Sequence, residues 1–102
     1  MKKKLIIKYF EEIKLIQENV EIEIIEKIAN ILFKKITKKK KIFVAGNGGS
    51  AAIANHFFAD FTKTIFIKSK LNPRVVSLSN SPEIITAISN DIHFSKIYSM
   101  QI

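Results

Sequence analysis

The sequence contains no cysteine, no tryptophan and no apolar run of about 18 residues, the length of a membrane span. Without cysteine, disulfides and thiolate metal sites are excluded. Met1–Lys4 is basic, but acids and lysines interrupt the sequence after it, so no signal-peptide core follows. These absences predict a cytoplasmic protein with no membrane partner.

Arginine is also scarce: Arg74 is the only one, although the 102 residues carry a net charge of +8. Six lysines fall between Lys34 and Lys41. A basic patch can bind nucleic acid, but the chain has no recognised nucleic-acid motif and no aromatic residues alternate with these lysines. Lysines at the end of a helix also complement its dipole. We therefore interpret the run as a solvated helix end and expect no nucleic-acid partner.

Glycine and proline are absent from residues 1–45, where apolar residues recur every three or four positions. This spacing predicts amphipathic helices. The polar triplet Gln17–Asn19 divides the stripe into helices of about residues 4–17 and 20–37, with Asn19 as the N-cap of the second. Core packing and an oligomer interface explain the apolar faces equally well.

The remainder of the chain alternates strand and helix signals, which predicts an α/β fold with a doubly wound parallel sheet. The expected elements are a strand at Lys41–Ala45, a helix at Ser50–Lys63, a connector with weak strand character at Thr64–Asn72, a strand at Val75–Leu78, a helix that Ser81 caps and Asn90–Asp91 ends, and the start of another helix at Phe94–Ile102. Two parallel strands cannot bury both sheet faces, so we expect the front portion of a longer protein. The predicted organisation is a helical extension, residues 1–40, and a partial α/β domain, residues 41–102.

The run Gly46–Ser50 lies between a predicted strand and a predicted helix. Free amides at a helix N-terminus bind anions, and glycine lets the backbone approach a phosphate closely. A P-loop is excluded because no Gly-Lys-Ser/Thr follows. A dinucleotide loop needs an acid near the end of the second strand, and no acid lies between Asp60 and Glu83.

A phosphosugar loop fits the run Gly46–Ser50 better than a dinucleotide loop. Ser50 would supply a hydroxyl, Asn47 would read a sugar hydroxyl, and the first helical turn would supply amides. A plain strand-to-helix turn is the structural alternative, but it needs one glycine and the run contains three. The loop therefore predicts a phosphorylated small molecule as ligand.

His56 and Asp60 are four residues apart on the predicted helix, so their side chains share one face. The pair suits a metal site or acid–base chemistry, whereas a surface ion pair explains the same spacing. Two ligands are also fewer than the three that a catalytic zinc usually takes. Asn90 and Asp91 follow near the expected ligand crevice, although on their own ordinary turn chemistry is the favoured explanation.

Several motifs in order resemble the phosphoheptose isomerase group of the sugar isomerase (SIS) domain family. They are Ala45–Ala52 with His56 and Phe57, Ser77–Ser79, Ile85–Asp91 and Ile97–Ile102. The resemblance runs from about Lys41 to Ile102, and the two leading helices match the family's N-terminal extension. It implies a three-layer α/β sandwich and a homo-oligomer, either a dimer or a tetramer. It also implies an aldose–ketose isomerase of sedoheptulose 7-phosphate that serves lipopolysaccharide heptose synthesis.

The resemblance implies roles for individual residues. Substrate contacts are implied for Asn47, Gly48 and Gly49, with Ser50 beside them, and for Asn90 and Asp91. His56 is implied to be a zinc ligand. Asp60 stands where the family usually has a glutamate that binds zinc and acts as acid and base, so its carboxylate is withdrawn by about 1.5 Å.

Two other hypotheses stay open at this point. The family's phosphate loop and its remaining zinc ligands belong to later sequence, and some relatives keep the glycine loop without catalysis. A non-catalytic phosphosugar-binding or regulatory protein is therefore the second hypothesis, and an inactive fragment is the third.

Overall fold

The computed structural model describes all 102 residues, which form two compact units, Met1–Leu32 and Phe33–Ile102. The predicted helical pair is confirmed: α1 spans Lys2–Glu18 and α2 spans Ile22–Thr37. The capping role of Asn19 was predicted wrongly. Its Nδ2 donates to the Leu15 carbonyl at 2.7 Å, so Asn19 ends α1 instead of starting α2. No helix in the chain combines the length and apolar character needed to cross a bilayer.

The second unit contains the predicted parallel strand pair. β1 spans Lys41–Val44 and β2 spans Arg74–Ser77, with Lys41 opposite Arg74 and Val44 opposite Ser77. The helix after β1, α3, spans Gly49–Ala59. Because parallel strands end at the same edge, the segments that follow β1 and β2 begin side by side.

The segment after α3 differs from the prediction. The chain continues as a π-helical segment over Asp60–Ile65 and then as α4, Phe66–Ser69, so most of the expected connector with strand character is helical. Its β-branched residues suggested a strand, but no glycine or proline interrupts the helix before Pro73. Extending an existing helix costs less than nucleating a new element, which explains the outcome.

The C-terminal part contains α5, which spans Pro82–Asp91 with proline at its first position, as predicted. The expected helix at 94–102 is replaced by two short 3₁₀ turns, Phe94–Lys96 and Ser99–Gln101. Gln101 explains part of this difference, because its Nε2 donates to the Leu78 carbonyl at 2.9 Å and holds the turn against the end of β2.

The core of the chain is small. Its buried apolar side chains are Ile36, Ala54, Val75, Leu78 and Ile97. They join α2, α3, the β2 strand with the residue after it, and the C-terminal turns. This core positions the glycine loop at the carboxyl edge of the sheet.

Candidate active site

A hydrogen-bonded clamp joins the ends of the two strands at the glycine loop. The Ser79 hydroxyl accepts from the Gly46 amide at 2.9 Å and donates to the Gly46 carbonyl at 2.8 Å. Both polar groups of Gly46 are therefore satisfied by one side chain from the neighbouring strand end. Ser79 was not among the predicted site residues. Because it lies 33 positions from Gly46, no local sequence pattern reveals the hydrogen bonds between them.

Two glycines of the loop are required by geometry. A Cβ atom on Gly46 would collide with the backbone carbonyl of Ser50, where the loop turns into α3. Gly48 has a φ of +54°, a conformation that L side chains rarely adopt. A Cβ atom on Gly49, in contrast, would meet no atom within 4 Å. Backbone geometry therefore does not require glycine at position 49.

Three backbone amides of the loop have no hydrogen-bond partner. Within the turn, the Ser50 amide donates to the Asn47 carbonyl at 2.9 Å and the Ala51 amide donates to the Gly48 carbonyl at 3.0 Å. No hydrogen bond engages the backbone amides of Asn47, Gly48 and Gly49. The first turn of α3 therefore supplies fewer amides than the sequence suggested, and the free ones belong to Asn47 and the two glycines that follow it.

The Asn47 side chain is held from the far end of the chain. The Tyr98 hydroxyl lies 2.6 Å from Oδ1 of Asn47 and 2.9 Å from the Gly46 carbonyl oxygen. Tyr98 is half-buried, whereas Asn47 is exposed. Tyr98 lies in one of the motifs that resemble the SIS family, but the resemblance implies no role for it.

A second polar network docks α3 on β2. Ser77 is only 2% exposed, and its hydroxyl donates to Oδ1 of Asn55 at 2.6 Å. Nδ2 of Asn55 donates to the Ser79 carbonyl at 3.4 Å. Because Asn55 precedes His56 on α3, this network sets the position of the helix that carries the histidine.

His56 and Asp60 lie together on an exposed face, as their spacing predicted. Nε2 of His56 is 3.5 Å from Oδ2 of Asp60, and the two side chains are 78% and 55% exposed. Two ligand atoms of a tetrahedral zinc ion lie about 3.4 Å apart, so this pair has the separation of two zinc ligands. No group of three or more His, Cys, Asp or Glu residues is arranged to hold a metal. The chain therefore brings two metal donors together and no third.

Asn90 and Asp91 form a separate pair at the end of α5. Nδ2 of Asn90 donates to Oδ1 of Asp91 at 3.0 Å, and both residues are exposed. Hydrogen bonds join the glycine loop to Ser79 and Tyr98, but none joins it to Asn90 or Asp91. A ten-residue helix is about 15 Å long, and this length separates the pair from the start of α5 beside β2.

These features define an α/β unit with a glycine loop between a parallel strand and a helix. The family model described as the SIS domain matches residues 8–102. The chain therefore belongs to the SIS domain family.

Several similar proteins carry the same name. The protein from Thermoplasma acidophilum named "Probable phosphoheptose isomerase" is 38% identical over 95 residues, which are 93% of this chain and 52% of that protein. The phosphoheptose isomerase of Fusobacterium nucleatum is 40% identical over 86 residues, which are 84% of this chain and 43% of that protein. The predicted resemblance to the phosphoheptose isomerase group is thus confirmed.

The fold has a counterpart among solved structures. The structure of phosphoheptose isomerase GmhA from Neisseria gonorrhoeae matches with a TM-score of 0.78 and 30% identity. The match covers 98% of this chain and 52% of that one. The predicted SIS fold is confirmed by this likeness, and the chain spans about half the length of its relatives or less.

Proposed function

We propose that the protein is a phosphosugar aldose–ketose isomerase that converts sedoheptulose 7-phosphate to glycero-manno-heptose 7-phosphate for lipopolysaccharide heptose synthesis. The observation that carries this proposal is the glycine loop, whose Gly48 and Gly49 amides are free to bind a ligand oxygen. The names of the similar proteins support the isomerase class. Each of these relatives is about twice as long as this chain or longer, so the proposal concerns the activity of the whole protein.

The glycine loop is the proposed substrate-binding part of the site. Asn47, Gly48 and Gly49 contact the sugar phosphate, with the Ser50 hydroxyl beside them. The Gly48 and Gly49 amides make no hydrogen bond within the protein. They can therefore donate to a ligand without breaking an existing hydrogen bond. Asn90 and Asp91 are proposed to contact the same substrate, which requires the ligand or another part of the protein to connect them with the loop.

His56 and Asp60 are the proposed metal ligands. Their 3.5 Å separation suits two positions of a tetrahedral zinc site, and the remaining ligands must come from outside these residues. When bound, zinc would polarise the carbonyl oxygen of the sugar. The Asp60 carboxylate takes a proton from C1 of the ketose and returns a proton to C2, while an acid–base partner from outside these residues moves the hydroxyl proton from O1 to O2. Together these transfers convert the ketose to the aldose through an enediol.

A cytoplasmic homo-oligomer is the proposed working form, as a dimer or a tetramer. No residue of α1 is buried, and its large apolar side chains are widely exposed: Leu5, Phe10 and Ile16 are 69%, 64% and 69% exposed. Exposed apolar surface of this extent marks a site of interaction. The exposure therefore supports an interface on α1, either with a second copy or with another part of the whole protein.

A non-catalytic phosphosugar-binding protein is the second candidate. The observation in its favour is that His56 and Asp60 already form a close pair while no third metal donor lies beside them. Both the isomerase and the non-catalytic protein would bind the phosphosugar, but only the isomerase would convert it. An inactive fragment would show neither.

Turnover of sedoheptulose 7-phosphate tests the proposal. The protein, expressed from its complete coding sequence and supplied with zinc, is expected to form the aldose heptose 7-phosphate, and D60N is expected to bind the sugar without converting it. Binding without turnover in the unmodified protein would favour the regulatory candidate. Neither binding nor turnover would refute both.

A further inference from the structure

The Tyr98 hydroxyl has two acceptors and one proton. It lies 2.6 Å from Oδ1 of Asn47 and 2.9 Å from the Gly46 carbonyl oxygen, and it reaches both across about half of the chain. A phenol donates one hydrogen bond, so the two contacts cannot both be full hydrogen bonds from Tyr98. The proton must be assigned to one of them.

The clamp at Gly46 decides this assignment. The Gly46 carbonyl already accepts a hydrogen bond from the Ser79 hydroxyl at 2.8 Å, so it has a donor without Tyr98 and only its second lone pair remains open. Oδ1 of Asn47 has no other donor, and its contact with Tyr98 is the shorter of the two. The Tyr98 proton therefore belongs to Asn47.

This assignment fixes which end of the Asn47 carboxamide faces away from the protein. With Oδ1 held by Tyr98, the Nδ2 amide group is left without a partner, next in sequence to the free Gly48 amide. The exposed loop then offers four amide donors, namely the Asn47 side-chain amide and the backbone amides of Asn47, Gly48 and Gly49, with the Ser50 hydroxyl beside them. These amide donors select ligand oxygens that act as acceptors, such as carbonyl or phosphate oxygens.

We propose that Tyr98 is a positioning residue that holds the Asn47 side chain with its amide nitrogen toward the ligand and so adds a donor to the free amides of the glycine loop. This inference rests on the proposed function for the identity of the ligand, a phosphosugar. The hydrogen bond itself does not depend on turnover. Its role can therefore be measured separately from the isomerase reaction.

The test removes only the hydroxyl. Y98F is expected to weaken sedoheptulose 7-phosphate about two- to tenfold, because one hydrogen bond that orients Asn47 is lost. The loss should appear in KM or in the calorimetric Kd with kcat nearly unchanged. Tyr9 is the matched control, since it is the other tyrosine of the chain, is 60% exposed and forms no hydrogen bond through its hydroxyl. Y9F is expected to bind like the unmodified protein.

A double-mutant cycle separates orientation of Asn47 from general loosening. In an N47A background, Y98F is expected to cause no further loss of affinity, because the group that Tyr98 orients is gone. An equal loss in both backgrounds would overturn the proposal and would assign Tyr98 to the Gly46 backbone instead.

An NMR readout keeps the inference falsifiable when no sugar binds. The side-chain amide resonances of Asn47 are expected to move in Y98F and to stay in place in Y9F. If the unmodified protein binds no sedoheptulose 7-phosphate, the proposed function fails while this shift still tests the hydrogen bond. Unchanged Asn47 resonances in Y98F would overturn the role of Tyr98 whatever the ligand is.

Discussion

Replacing Gly46 by alanine probes the geometry on which the loop depends. A Cβ atom at this position meets the Ser50 carbonyl at a distance that real Cβ atoms do not adopt, and it lies 2.8 Å from the Ser50 Cβ. Ordinary van der Waals contacts begin at 3.4 Å, so the Ser50 Cβ would have to move about 0.6 Å away from the added Cβ atom. The closest atoms are backbone at the start of α3, which cannot rotate away as a flexible side chain can.

The expected destabilisation follows from two opposing terms. Overpacking of this kind costs roughly 1–3 kcal/mol, and a clash with backbone belongs at the upper end. Alanine also restricts the unfolded chain, which returns about 0.4–1 kcal/mol. The net loss in the free energy of unfolding is therefore about 2 kcal/mol. For a chain of this size it lowers the midpoint of thermal unfolding by about 8–16 °C.

Gly49 provides the matched control for this measurement. A Cβ atom there meets nothing within 4 Å, and the backbone φ lies outside the positive region. G49A is expected to be stabilised by about 0.4–1 kcal/mol through the unfolded state. Urea and thermal unfolding, followed by circular dichroism, measure both variants. Equal stability of G46A and G49A would refute the reasoning about the Gly46–Ser50 contact.

Three further predictions concern α2, the network behind α3 and the metal pair. Lys39 lies two residues after the end of α2 and has a φ of +53°, so K39G should raise the free energy of unfolding by about 0.5–1 kcal/mol; a loss of stability in urea would contradict this. S77A leaves Oδ1 of Asn55 without its donor and should lower the free energy of unfolding by about 1–3 kcal/mol in the same assay. Unchanged stability would show that this hydrogen bond does not stabilise the fold. D60E restores the longer carboxylate arm and should raise the rate of heptose phosphate turnover by up to about 100-fold; a slower enzyme would show that the site is built around aspartate.

Local patterns were sufficient for much of the fold. The apolar stripe of residues 1–45 predicted two helices, and the strand, glycine and helix signals around Gly46–Ser50 predicted β1, the loop and α3. The prediction failed where neighbouring signals compete. Thr64–Ser69 carries β-branched residues yet extends an existing helix, and Asn19 suits either end of a helix. In both cases the context of the preceding helix decided the outcome.

The candidate site was predictable only in part. The pairing of His56 with Asp60 follows from their spacing of four residues, because helical neighbours need no tertiary information. The contacts that orient the loop are long-range: Ser79 lies 33 positions from Gly46, and Tyr98 lies 51 positions from Asn47. No periodicity connects such residues, so only the folded structure reveals that they support the same loop.

The central claim is that the glycine loop binds a phosphosugar through its free amides. The most direct measurement is an NMR titration of the protein with sedoheptulose 7-phosphate, with NAD as the competing ligand class. We expect the backbone amides of Gly48 and Gly49 and the side-chain amide of Asn47 to shift together along one saturable curve, and we expect NAD to move none of them. Stationary amides at Gly48 and Gly49 under saturating sugar phosphate, or a stronger response to NAD, would contradict the account.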